Sequence, residues 1–160
     1  MSAARSAVNE LRRRGWTLGV AESLTGGSLS AEFVSVPGAS TVFLGAVVAY
    51  ATPVKHSLLR VDAELLRQHG PVHAEVARQM ADGVRRAVRV DGADADVGVS
   101  TTGIAGPGSP DGQPVGTVHI GLALPGRLLS AAHLFEGDRA EIRARTVDAA
   151  VELLVCALEE

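Results

Sequence analysis

The sequence predicts an α/β fold, a three-layer α/β/α domain on a mixed, mostly parallel sheet, and three observations predict it. Helical patterns alternate with short apolar runs from the N-terminus to about residue 101, the pattern of parallel strands joined by crossover helices. Two more strand-like runs, about 115–124 and 128–135, are separated by little more than Pro125-Gly126, a hairpin-like turn that makes neighbouring strands antiparallel. No internal repeat or linker-like stretch divides the 160 residues, a length that can bury one core.

Each element has its own signal. Residues 2–14 place Ala4, Val8 and Leu11 on one helical face, and Gly15 follows as a stop. Thr17 to Ala21 is a short apolar strand, and Glu22-Ser23-Leu24-Thr25-Gly26-Gly27 turns from it into a helix that ends before Pro37. The continuous apolar run 42–50 suits a strand buried on both faces. Residues 53–69 read as one or two short helices, with Pro53 in a first turn. In 74–89, Val76, Ala77, Met80, Val84, Ala87 and Val88 share a face. Residues 95–101 are a strand, and Ser109-Pro110-Asp111-Gly112-Gln113-Pro114 is a loop. The last helix opens at Asp138 with Glu141 three residues on, a capping-box pattern, and Val147, Val151, Leu154 and Leu158 form its core face.

Composition narrows the function classes. A net charge of −3 argues against a nucleic-acid binder, which is usually basic. The run Arg12-Arg13-Arg14 reads as a solvated helix end whose cations complement the helix dipole. No apolar stretch is long enough for a membrane span, and residues 1–14 lack the apolar core of a signal peptide. One cysteine, Cys156, permits no intrachain disulfide and reads as a small buried hydrophobe. A reducing cytoplasm fits these features, with neither nucleic acid nor membrane as partner.

Four segments carry chemistry. Ser23 ends a strand and opens a turn, which places its hydroxyl at the carboxyl edge of the sheet, where open α/β sheets bind ligands. Free amides of a following first helical turn could stabilise an oxyanion or hold a phosphate, and Gly26 and Gly27 let a substrate approach the backbone. Plain helix capping by Ser23 or Thr25 is the simpler alternative. Next, Tyr50 and Lys55 follow the second strand. Tyr50 is the only tyrosine, and Lys55 the only lysine against fourteen arginines. Arginine stays charged at neutral pH, whereas lysine becomes a base once burial or a nearby cation lowers its pKa. A surface lysine is the bland reading. The third segment, Gly103-Ile104-Ala105-Gly106-Pro107-Gly108, follows a strand and reads as a ligand-cradling loop, to which Thr101 and Thr102 could add hydroxyls. It fits neither the dinucleotide fingerprint nor a Walker motif. Last, Arg139, with Arg143, opens the final helix, where a cation opposes the dipole unless an anion binds there. His56, His69, His73, His119 and His133 have no metal-ligand spacing, so no metal is expected. His119 reads as a half-buried strand residue.

Taken together these residues resemble the CinA C-terminal domain family, the nicotinamide-nucleotide amidohydrolases. The resemblance rests on Ala21-Glu22-Ser23-x-Thr25-Gly26-Gly27, on Gly45-x-Val47-x-x-Tyr50 with Lys55, on Gly103-Ile104-Ala105-Gly106-Pro107, on Pro114-Val115-Gly116-Thr117-Val118, and on Gly137-Asp138-Arg139. It covers nearly the whole chain. It implies Ser23 as nucleophile, Lys55 as its base and Tyr50 as a third site residue. It also implies substrate contacts from Thr25, Gly26, Gly27, Thr102, Gly103, Ile104, Gly106 and Arg139, with Arg143 or Arg145 as alternatives to Arg139. The implied reaction is hydrolysis of the carboxamide of nicotinamide mononucleotide through a serine acyl-enzyme, with no cofactor and no metal, in a homodimer or higher homo-oligomer. A non-catalytic nucleotide-binding module, or an amidase for another substrate, is the alternative. The chain departs from the family pattern at His73-Ala74, where relatives often carry Ser and Glu, and in a shorter loop after Gly108. The molybdopterin-binding-like domain that many relatives carry is not among these residues.

Overall fold

The computed structural model describes residues 1–110 and 112–160, so Asp111 of the 109–114 loop lies outside the described residues. In chain order the elements are α1 (Ala3–Arg14), β1 (Leu18–Glu22), α2 (Ser28–Val34), a single 3-10 turn (Ala39–Thr41), β2 (Phe43–Val48), α3 (Thr52–Leu59), α4 (Ala63–His69), α5 (Ala74–Ala87), β3 (Val97–Gly103), β4 (Thr117–Leu124), β5 (Arg127–Leu134) and α6 (Arg139–Glu159). The strands form one sheet in the order β2-β1-β3-β4-β5. β1 pairs in parallel with β2 and β3, while β4 pairs antiparallel with β3 and β5, so β4 alone runs against the other four.

Helices cover both faces, which gives the three layers. Leu18, Val20, Val97, Val99, Val118 and Ile120 point to one side and pack with apolar residues of α1, α2 and α6. Ala21 points to the other side, into a smaller cluster with Leu59, Leu66, Val76, Met80 and Val84 from α3, α4 and α5. α5 lies unusually close to β3 and β4. A Cβ on Gly98 would stand 1.9 Å from the Ala81 carbonyl oxygen, and one on Gly121 would stand 2.0 Å from that of Ala77. Only glycine fits at both contacts. Ser100 on β3 donates to the Ala77 carbonyl at 2.6 Å and fixes the same approach.

The capping box at Asp138 and Glu141 forms as the spacing predicts, and α6 buries Val147, Val151, Leu154 and Leu158. Four expectations are corrected. β2 is an edge strand with β1 beside it on one side; it ends at Val48, none of its residues is fully buried, and Ala46 and Val48 are exposed, so it is not buried on both faces. Cys156 is exposed, because it lies two residues from both Leu154 and Leu158 and so falls off the buried stripe. Ala87 is also exposed, at the last turn of α5. In the arginine run, Arg14 is half-buried: it lies 4.9 Å from the centre of the Trp16 ring and donates to the Leu158 carbonyl, tying α1 to α6.

Candidate active site

The pleat of β1 decides what its end presents. Leu18 and Val20 face α1, α2 and α6, and Glu22 continues that row. Gly19 and Ala21 face α3 and α5, and Ser23 continues theirs. The Ser23 amide donates to the Thr101 carbonyl at 3.1 Å and carries the β1–β3 pairing one residue past the strand. The Ala49 amide likewise donates to the Glu22 carbonyl at 2.8 Å on the β2 side. Ser23 is thereby fixed between two neighbours at the carboxyl edge, with 7% of its surface exposed.

Lys55 reaches this point from α3. Pro53 in the first turn of that helix has no amide to lose, and Ala51 precedes it in an extended conformation. The Lys55 side chain, only 1% exposed, folds back over the helix start. Its Nζ lies 2.9 Å from Ser23 Oγ, 2.7 Å from the Ala49 carbonyl oxygen and 3.2 Å from that of Tyr50. Burial pushes its pKa down from 10.5 to about 8, and the positive end of the α3 dipole acts in the same direction. A neutral amine has two N–H donors and one lone pair. With both carbonyls occupied by donors, the lone pair faces the Ser23 hydroxyl, the arrangement a general base requires.

The pair opens into a pocket of about 260 Å³ whose walls include Ser23, Lys55, Tyr50, Thr102, Ile104 and Arg139. Gly103 and Gly106 also line it, as do Pro71 and Val72 in the connection just before α5. Thr102 donates its hydroxyl to the Pro71 carbonyl at 2.7 Å, which holds that wall. Arg139, the first residue of α6, donates to the Gly106 carbonyl at 2.6 Å and to the Tyr50 hydroxyl at 3.2 Å. It joins the glycine loop to the tyrosine and has further N–H donors to spare.

Tyr50 and Lys55 meet through the tyrosine carbonyl; the phenol, on a residue 61% exposed, turns to Arg139 instead. Thr25, Gly26 and Gly27 do not line the pocket. Thr25 is fully buried with its hydroxyl 2.8 Å from that of Thr101, on the opposite side of the strand end. Ser23 and Thr25 cap no helix, because a turn intervenes and α2 begins only at Ser28. The free first-turn amides anticipated there are occupied: Leu29 and Ser30 donate to the Glu22 carboxylate at 2.9 and 3.1 Å. Glu22 is thus the residue that sequence reasoning passed over, although an acid ending an apolar strand beside a serine was its signal. The arginine alternatives also resolve. Arg143 donates to the carbonyls of Leu24 and Thr25 at 2.9 and 3.2 Å and supports the turn from behind, while Arg145 is exposed. His73 caps α5 by accepting from the Glu75 amide at 3.1 Å. His119 is half-buried in β4, its pKa lowered first by burial and then by His73, Arg78 and His133.

Fold and site define an α/β domain with a buried serine–lysine pair at the carboxyl edge of its sheet. The chain belongs to the CinA C-terminal domain family, whose family model matches residues 1–158. It is 41% identical over 157 residues to a putative competence-damage inducible protein of Limosilactobacillus reuteri, covering 96% of this chain and 37% of the relative. It is 45% identical over 144 residues to a CinA-like protein of Frankia casuarinae, covering 90% of this chain and 32% of the relative. The chain therefore spans about a third of the length of these curated relatives. Among solved structures, a CinA superfamily protein of Klebsiella pneumoniae superposes with a TM-score of 0.91 at 30% identity, covering 98% of this chain and 96% of that one. The competence/damage inducible protein CihA of Agrobacterium tumefaciens gives 0.89 at 33% identity, covering 99% and 94%.

Proposed function

We propose that this domain hydrolyses the carboxamide of nicotinamide mononucleotide to nicotinate mononucleotide and ammonia. The single observation that carries this reading is the buried amine of Lys55, 2.9 Å from Ser23 Oγ in a pocket that Arg139 also lines. Ser23 Oγ attacks the carboxamide carbon while its proton passes to neutral Lys55. Among the described residues the amide of Leu24, a residue that lines the pocket, meets no acceptor and is the nearest candidate along the chain to stabilise the oxyanion. A donor in that role contributes about 3–4 kcal/mol. Lys55 returns the proton to the nitrogen, the C–N bond breaks and ammonia leaves. Water then attacks the Ser23 ester and gives one proton to Lys55, which passes it to Ser23 Oγ as the ester bond breaks; the product leaves as the carboxylic acid and loses its second proton to solvent, where ammonia can take it up.

Arg139 is the cation suited to the substrate phosphate, and the backbone at Gly103 and Gly106 lets the pyridinium ring lie close. The reading includes a homodimer or higher homo-oligomer, carried by the family resemblance, in the cytoplasm, which the sequence composition suggests. Among the described residues no helix is long and apolar enough to cross a membrane. The test is incubation of the purified protein with nicotinamide mononucleotide, following ammonia and identifying the nucleotide product by mass. Equimolar ammonia and nicotinate mononucleotide support the reading. Binding without turnover by folded protein replaces it with a nucleotide-binding module, and turnover of other amides alone replaces the substrate.

A further inference from the structure

Glu22 is completely buried, an environment that carboxylates occupy only when fully partnered. Its partners are two amides and a hydroxyl. One oxygen accepts from the Leu29 amide at 2.9 Å; the other accepts from the Ser30 amide at 3.1 Å and the Ser30 hydroxyl at 2.5 Å. The usual place for such a cap is position 27, which is a glycine and makes no side-chain cap. The cap comes instead from the residue directly before the nucleophile. Glu22 thus pins both ends of the turn that holds Ser23: the strand end through its main chain and the start of α2 through its carboxylate.

The same main chain reaches the base. The Glu22 carbonyl accepts from the Ala49 amide, the Ala49 carbonyl lies 2.7 Å from Lys55 Nζ, and Lys55 Nζ lies 2.9 Å from Ser23 Oγ. The peptide bond from Ser23 to Glu22 closes this into a ring. We propose that Glu22 is the positioning residue that holds the nucleophile in register with its base, an inference that rests on the amidohydrolase reading for its kinetic consequence alone.

Lys55 is the only lysine in the chain, so protein grown with isotope-labelled lysine gives one side-chain signal set whose titration by NMR reads this amine with no substrate present. Wild type is expected to titrate at about 8, where burial holds the amine. In Glu22→Gln the carboxamide nitrogen opposes an amide donor and loosens the turn. The midpoint then moves up towards 10.5 as Lys55 gains water, and kcat falls roughly tenfold to a hundredfold with KM within about twofold. Loss of charge alone acts in the opposite sense, since removing an anion lowers a lysine pKa. An unchanged or lowered midpoint in folded Glu22→Gln overturns the proposal. If that variant does not fold, Ser30→Ala, which removes one partner of the carboxylate, decides: a smaller upward shift supports the coupling, and wild-type titration with wild-type kcat overturns it. A wild type inactive on nicotinamide mononucleotide defeats the proposed activity while the titration still decides the coupling.

Discussion

Lys55 Nζ stands 2.9 Å from Ser23 Oγ, although the two residues lie on different elements and 32 positions apart in the chain. The lysine arrives by folding back along its own helix, and the carbonyls of Ala49 and Tyr50 hold it there.

Replacing this lysine separates base from charge. Lys55→Arg keeps a cation that cannot become neutral at working pH, and Lys55→Met keeps the bulk alone. Both are expected to lower kcat by about a hundredfold to ten-thousandfold, the usual contribution of a general base, measured as the initial rate of ammonia release.

The pH profile follows from the same group. Because burial holds the Lys55 pKa at about 8 and the base form is the active one, kcat/KM is expected to rise about tenfold per pH unit below that value and level off above it. A profile flat from pH 6 to 9, read with a nucleotide whose own groups do not titrate there, excludes Lys55 as the base.

Stability responds to pH with a definite sign. The folded pKa of Lys55 lies below the ordinary 10.5, so between about 8 and 10.5 the unfolded chain holds a proton that the folded chain has released. Stability therefore rises with pH through that window. The penalty for burying the charged amine is fully present below it. Relative to Lys55→Met, wild type is expected to gain on the order of 3 kcal/mol between pH 7 and 10.5, read from urea unfolding of both proteins at each pH.

Arg139 and Tyr50 act as a pair, because the guanidinium donates to the phenol at 3.2 Å. Arg139→Ala is expected to raise KM for the nucleotide about tenfold or more. Tyr50→Phe, combined with it, costs less than the sum of the two single changes. The double-mutant cycle measures the shared bond at about 1 kcal/mol; strict additivity would show that the pair is not coupled in solution.

The contact of α5 with the sheet tolerates no added volume at its glycines. A Cβ at position 121 meets the Ala77 carbonyl oxygen at 2.0 Å, so Gly121→Ala must push helix from sheet. A loss of at least ~2 kcal/mol in urea unfolding is expected, and wild-type stability would contradict the close packing.

Much of this was legible in the sequence because it is local. The capping box at Asp138 and Glu141, the turn at Pro125-Gly126 and the alternation of helices with apolar strands each follow from neighbouring residues, and their sum defined the layers. The single lysine and single tyrosine marked the site because their types were rare. What the sequence left hidden depends on neighbours across the sheet. Residues 42–50 are as apolar as an interior strand, yet β2 lies at the edge, and only the strand order decides that. Thr25 sits in the site motif, but the turn directs it onto Thr101 rather than into the pocket. The cap of α2 comes from Glu22, five residues before the expected position, and no local capping rule reaches that far.

The most direct test is the rate of ammonia release from nicotinamide mononucleotide by Ser23→Ala beside wild type, with nucleotide affinity of both measured by calorimetry. A fall of at least about a thousandfold in rate with affinity retained is the predicted result, since removal of a nucleophile leaves only binding and oxyanion stabilisation. A Ser23→Ala protein that turns over at the wild-type rate would contradict the serine–lysine mechanism outright.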